Sequence, residues 1–112
     1  MGQCQKNNQM PCGLDQQTVA KIRDIFARHE NIDEVILYGS RAKGNYKPGS
    51  DIDLTLKGKG LNLEQLNIIN NELDDLLLPY TFDISIFHQI ANPDLIDHIN
   101  RVGKIFYKRR EH

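Results

Sequence analysis

Two alternating segments separated by an amphipathic one constrain the fold more than any other feature of the sequence. In 51–56 (DIDLTL) and 81–87 (TFDISIF), apolar and polar residues alternate, as in a strand with one buried face. Between them, leucine and isoleucine recur at helical spacing over 63–78, and Pro79 is expected to end that helix. A helix that crosses between two neighbouring strands makes them parallel. We therefore predict a strand–helix–strand unit.

A helix and a strand are predicted before this unit. Asp15 is the expected N-cap of an amphipathic helix over 15–29. The apolar run EVILY (34–38), which is followed by a glycine, suits a buried strand. Only a short connection separates it from 51–56, so we expect these two strands to be antiparallel.

Shorter elements complete the predicted fold. Ser40 is expected to cap a helical turn over 40–44. Asn92 and the proline after it are typical of a helix start, and Gly103 follows the end of that helix. The segment KIFY (104–107) is expected to add an edge strand. The predicted fold class is α/β: a small mixed β-sheet flanked by helices.

Length and charge narrow the class of protein. With 112 residues, the chain is expected to be one domain over 14–107, between a disordered tail over 1–13 and a basic tail over 108–112. The net charge of −1 does not indicate binding to nucleic acid or to a membrane. No apolar run approaches the ~18 residues of a membrane helix. Cys4 and Cys12 are expected to be reduced, and the expected location is the cytoplasm.

Three aspartates are expected to meet on the sheet. Asp51 and Asp53 are two residues apart and share one strand face, and Asp83 lies on the polar face at the start of the next strand. Neighbouring strands lie ~4.8 Å apart, so the three carboxylates would come within reach of one another and repel. Carboxylate oxygens are preferred ligands of Mg²⁺, and a pair of ions suits phosphoryl transfer. We predict that these aspartates hold two Mg²⁺ ions, which in turn hold a polyphosphate.

The turn after the strand 34–38 fits this hypothesis. Gly39 permits close backbone approach, and the hydroxyl of Ser40 with the N–H groups of a helix start can bind phosphate oxygens. Arg41 and Lys43 add positive charge where a triphosphate would lie.

Each feature alone has a simpler interpretation. Most Gly-Ser turns are only turns, and an Asp-x-Asp pair on a strand is more often solvated than metal-bound. The histidines form no i, i+4 metal pair and are assigned to surface or core filling: His29, His88, His98 and His112. Glu72, Asp74 and Asp75 are assigned to a solvated helix face. Only the combination of the turn with three aspartates is specific.

The motifs GSRAKG and SDIDL, followed by a strand that carries Asp83, resemble the minimal nucleotidyltransferase (MNT) family of the DNA polymerase β-like superfamily. The resemblance covers residues 14–107, and Lys43 stands where the family often has arginine. It implies that Asp51 and Asp53 bind Mg²⁺ and that the Gly-Ser turn contacts the triphosphate of ATP. Asp83 would be a metal ligand or the base that activates the acceptor hydroxyl.

The resemblance also implies a partner. MNT proteins are commonly paired with small helical HEPN proteins as antitoxin and toxin, which implies transfer of AMP from ATP to a tyrosine of a HEPN-type partner. Two alternatives stay open. The chain could transfer a nucleotide to a small-molecule hydroxyl held by a separate substrate-binding chain. It could also be a non-catalytic module that blocks its partner by contact alone.

Overall fold

In the computed structural model, a four-stranded mixed sheet carries helices on both faces. The structure describes residues 14–44 and 51–109. Within them the elements are, in chain order, α1 (Gln16–Ala27), β1 (Ile32–Tyr38), α2 (Ser40–Lys43), β2 (Ile52–Gly58), α3 (Leu63–Asp74), β3 (Phe82–Ile86), a 3-10 helix (Phe87–Gln89), α4 (Pro93–Val102) and β4 (Lys104–Lys108). The α/β class is confirmed. The predicted tail over 1–13, both cysteines and His112 lie outside the described residues.

The strand order of the sheet is β3-β2-β1-β4. Strands β2 and β3 are parallel neighbours joined by α3, and Asp53 lies opposite Asp83. Strand β1 is antiparallel to β2, and Tyr38 lies opposite Asp53. Strand β4 pairs with β1 at the edge of the sheet, also antiparallel. The predicted crossover, the antiparallel pair and the edge strand are therefore all confirmed.

Helices α1 and α3 cover one face of the sheet. The buried side chains of both helices join those of every strand in one core, which includes Ile22, Phe26, Val35, Leu37, Ile52, Leu54, Leu56, Ile69, Leu73, Ile84 and Phe106. The Asp15 cap is confirmed, because the Thr18 N–H donates to Asp15 Oδ1 at 2.7 Å. Among the described residues, no helix is both long and apolar enough to cross a membrane.

Helix α4 covers part of the opposite face. Ile99 packs there against Ile36 and Tyr38 in a smaller apolar cluster. The predicted start of α4 is confirmed, since Asn92 Oδ1 accepts the Asp94 N–H at 2.9 Å. At Gly103 an added Cβ would overlap the backbone carbonyl oxygen of Ile99, so a glycine suits the turn from α4 into β4.

Helix α3 is shorter than its apolar pattern predicts. It ends at Asp74 instead of 78, and residues 75–77 form a turn well before Pro79. Leu77 has a positive φ of 57°, which is not a helical conformation, and its side chain is 89% exposed. Leu76 and Leu78 still pack against the core, so the apolar pattern continues past the end of the helix.

Polar side chains join the end of α1 to α3. His29 Nε2 lies 2.8 Å from Glu72 Oε1, in a half-buried contact. The side-chain amides of Asn31 and Gln65 exchange two hydrogen bonds, at 2.7 and 2.8 Å. The assignment of Glu72 to a solvated face was therefore wrong. The residue that partners it is 43 positions away in the sequence, where helical periodicity carries no information.

Replacing Leu54 by alanine should strongly destabilise the fold, because this side chain is fully buried in the centre of β2. We expect the free energy of unfolding to fall by about 2–5 kcal/mol in urea denaturation followed by circular dichroism. The matched control is Leu63→Ala, at a position that is 66% exposed, with an expected change below about 0.5 kcal/mol. Equal losses in the two variants would contradict the described core.

Candidate active site

Parallel pairing of β2 with β3 sets two carboxylates side by side. Asp53 and Asp83 occupy directly opposed positions, on the face that α4 leaves partly open. Asp53 is half-buried, whereas Asp83 and Asp51 are exposed. Burial, followed by the charges of Asp83 and Asp51, raises the pKa of Asp53 to about 6. The site therefore concentrates negative charge at a carboxyl group that is already poorly solvated.

This donor set fits a hard divalent cation. All three groups are carboxylates, and the raised pKa of Asp53 marks charge that a cation would neutralise. Even so, no group of three or more His, Cys, Asp or Glu side chains over 14–44 and 51–109 is arranged to hold a metal ion. Carboxylates that no cation neutralises repel one another, and this repulsion keeps their side chains apart. The strands thus place Asp53 beside Asp83, and binding of Mg²⁺ by the three aspartates stays a prediction.

The Gly-Ser turn lies against this pair of carboxylates. Strand β1 ends at Tyr38, opposite Asp53, and the chain turns at Gly39 with φ 80° and ψ −158°. A Cβ at Gly39 would overlap Asp53 Oδ2, so a side chain is excluded by space as well as by the positive φ. The Gly-Ser turn and the aspartates, which belong to two separate sequence motifs, are therefore adjacent in the fold.

The N-cap of α2 is Gly39 and not Ser40, so the predicted serine cap is wrong. Ser40 is the first residue of the helix, and no side chain caps this end. The helix starts one residue earlier because Gly39 already supplies the carbonyl that accepts the Lys43 N–H, at 3.1 Å. Ser40 is half-buried, and its side chain makes no capping hydrogen bond to the backbone of α2.

The two basic residues of α2 have different surroundings. Arg41 is only 3% exposed, and its guanidinium carbon lies 5.3 Å from the ring centroid of Tyr80, a cation–π contact. Lys43 is exposed. The structure thus brings Gly39, the residue before Ser40, against Asp53 but packs Arg41 into the protein. Contacts of Gly39, Ser40 and the two basic residues with a triphosphate stay a prediction.

Further side chains line this region, among them His98, which was assigned to surface or core filling. Ser85 Oγ donates to Thr55 Oγ1 at 3.0 Å, next to the aspartate pair on the same two strands. Burial is the main cause that raises the pKa of Tyr38. The Gly39 N–H donates to His98 Nε2 at 3.3 Å. No spacing rule links a lone histidine on a late helix to an early turn, so only the fold reveals this contact.

Replacing Asp53 by asparagine should stabilise the metal-free protein at pH 8. The pKa of about 6 in the folded state exceeds the ordinary 3.8, so the stability linked to this group is present below pH 3.8 and is lost as the pH rises through 6. Removing the charge should raise the Tm at pH 8 by about 2–5 °C, after allowance for solvent screening, and change it little at pH 3.5. Thermal unfolding in EDTA at both pH values measures this.

The control for that experiment is Asp24→Asn, because the Asp24 side chain is 73% exposed on α1. Its Tm should change little between the two pH values. A variant at position 53 with the wild-type Tm at pH 8 would mean that the carboxylate cluster does not strain the fold.

Comparisons with known proteins identify the family and agree with the fold. A family model described as polymerase beta, nucleotidyltransferase, matches residues 20–112. The fold resembles that of a toxin–antitoxin complex with AMP-PNP, with a TM-score of 0.67 and 18% identity, over 87% of this chain and 76% of that one. It also resembles a complex of tri-AMPylated Shewanella oneidensis HEPN toxin with MNT antitoxin, with a TM-score of 0.63 and 18% identity, over 84% and 72%.

A further similar structure is the toxin–antitoxin MntA–HepT, with a TM-score of 0.63 and 18% identity over 85% of this chain and 74% of that one. Comparison with curated proteins gives no match. At these identities the solved structures establish the fold, while the family model spans most of the sequence. The chain therefore belongs to the polymerase beta nucleotidyltransferase family.

Proposed function

We propose that this protein transfers AMP from ATP to a tyrosine hydroxyl of a HEPN-type helical partner, as the antitoxin of a toxin–antitoxin pair. One observation carries the proposal: the backbone of Gly39 lies so close to Asp53 that a Cβ would overlap its carboxylate. A turn suited to phosphate and a carboxylate pair suited to metal thus form a single site. That combination suits nucleotidyl transfer, in which catalysis consists largely of positioning and charge stabilisation.

The solved structures of similar fold support the choice of acceptor. One is described with AMP-PNP, a nucleotide analogue, and another contains a HEPN toxin that carries three AMP groups together with its MNT antitoxin. The described part of our chain is a single small sheet with its helices, and its aspartates lie on a partly open face. A partner that offers its own tyrosine would supply the acceptor side of the site.

The reaction is a displacement at the α-phosphorus of ATP. The tyrosine oxygen forms a bond to this phosphorus, the bond to the oxygen that bridges to the β-phosphate breaks, and pyrophosphate leaves. The hydroxyl proton passes to a carboxylate of the cluster, for which Asp83, exposed on the edge strand β3, is best placed. Asp51, Asp53 and Asp83 would hold Mg²⁺, which supplies positive charge against the phosphates. The Gly39–Ser40 turn would orient the triphosphate.

Intact-mass spectrometry of the HEPN-type partner tests this function. With wild-type protein, ATP and Mg²⁺, we expect the partner to gain one or more AMP groups, each with loss of water. The double variant Asp51→Asn, Asp53→Asn should reduce the rate by more than about 100-fold, because direct ligands should matter more than their supporting neighbours. Asp24→Asn, on the exposed side of α1, is the control and should act as wild type.

Other outcomes of that assay identify the alternatives. An unmodified partner together with a nucleotidylated small molecule would favour a small-molecule acceptor. Inhibition of the toxin that survives in the double variant would favour a module that blocks its partner by contact alone. Either result contradicts AMP transfer to the partner as the function.

The turn can be tested separately by nucleotide binding. Ser40→Ala should weaken the affinity for ATP by about 2–10-fold, because it removes one hydrogen bond to a phosphate oxygen. Ser40→Thr keeps the hydroxyl and serves as the control, with an affinity close to wild type. Isothermal titration calorimetry with Mg²⁺ measures both. Wild-type affinity in the alanine variant would place the triphosphate away from Ser40.

A further inference from the structure

His98 contacts the turn that is proposed to bind the triphosphate. Its Nε2 accepts a hydrogen bond from the Gly39 N–H at 3.3 Å. Its ring packs edge-on against Tyr38, with 6.2 Å between the ring centroids and 80° between the ring planes. One histidine therefore holds both the last residue of β1 and the first residue of the turn.

Gly39 has few other restraints. Its φ of 80° lies in a region that glycine adopts readily and other residues rarely adopt. No side-chain hydrogen bond caps the helix that follows. Its N–H belongs to the N-cap residue, so α2 makes no use of it. Asp53 limits the turn on one side by contact, and the hydrogen bond to His98 fixes the direction of the N–H. Without that bond, a glycine at this position would be free to sample other backbone angles.

The helix that carries His98 is well anchored. The Asn92 side chain caps α4, and Pro93 occupies its first turn. Ile99, the next residue after His98, is 2% exposed and packs against Ile36 and Tyr38. The His98 imidazole is therefore carried by a helix that is packed against the sheet. A residue that positions a turn needs such rigid support.

We propose that His98 is a positioning residue for nucleotide binding: its neutral imidazole holds the Gly39 N–H and so fixes Ser40 toward the phosphates. An Nε2 that accepts a hydrogen bond is unprotonated, which places the imidazole proton on Nδ1. The inference rests on the proposed function for the identity of the ligand, a nucleoside triphosphate. The hydrogen bond itself is a property of the chain alone.

Two substitutions separate the acceptor atom from the ring. His98→Phe keeps an aromatic ring against Tyr38 but has no acceptor. His98→Gln has a side-chain oxygen about as far from the backbone as Nε2 but has no ring. We expect the phenylalanine variant to bind AMP-PNP with Mg²⁺ about 3–10-fold more weakly than wild type, the range for one hydrogen bond. The glutamine variant should stay within about 2-fold.

Amide hydrogen exchange of Gly39, followed by NMR, gives a readout that needs no nucleotide. Exchange should be faster than in wild type in the phenylalanine variant and close to wild type in the glutamine variant, while the Tm of the two variants reports any general loss of packing. If the wild-type protein binds no nucleotide, the proposed function fails, and the Gly39 exchange rate still decides whether His98 holds the turn.

Three results would overturn the role of His98. Affinity and exchange as in wild type in His98→Phe would show that the acceptor has no effect. Equal losses in both variants would assign the effect to general packing of α4. Tighter nucleotide binding in the phenylalanine variant would show that His98 competes with the phosphates for the Gly39 N–H.

Discussion

Repulsion between the carboxylates of Asp53 and Asp83 is the constraint on which the site depends. Their strands pair in parallel register, so the two side chains have neighbouring positions on one face. The opposite face of the same strands is apolar and buried beneath α1 and α3, and it fixes this register, because a shift by one residue would expose the core. The fold thus stabilises an arrangement that is unfavourable by itself, because burial first, and the charges of Asp83 and Asp51 second, raise the pKa of Asp53.

The remaining parts of the site are arranged around this charge. Antiparallel pairing of β1 with β2 brings Tyr38 opposite Asp53, and the chain must then turn at once against the carboxylate. Only a glycine fits there, and its N–H faces His98 on α4. A metal-bound triphosphate fits beside the carboxylates, since the phosphates and the aspartates both supply oxygen ligands to the metal, and the Ser40 hydroxyl can donate to a phosphate oxygen. The turn and the aspartates would therefore bind the metal–nucleotide complex together.

Alternation and crossover rules predicted most of the fold, including the parallel strands that pair Asp53 with Asp83. These rules depend on local periodicity and chirality, which the sequence carries directly. They failed at the end of α3, which stops at Asp74, and they did not predict that Arg41 is buried against the ring of Tyr80. The contact of His98 with Gly39 was also beyond them, because 59 positions separate the two residues and His98 belongs to no motif.

The central claim is that the turn and the carboxylates hold one metal–nucleotide complex. A crystal structure with AMP-PNP and Mn²⁺, with anomalous data for the metal, tests it most directly. The account predicts metal between the carboxylates of Asp53 and Asp83 and the phosphate oxygens, with the triphosphate against Gly39 and Ser40. Metal and nucleotide bound at a different surface, with Asp53 and Asp83 contacting neither, would contradict it.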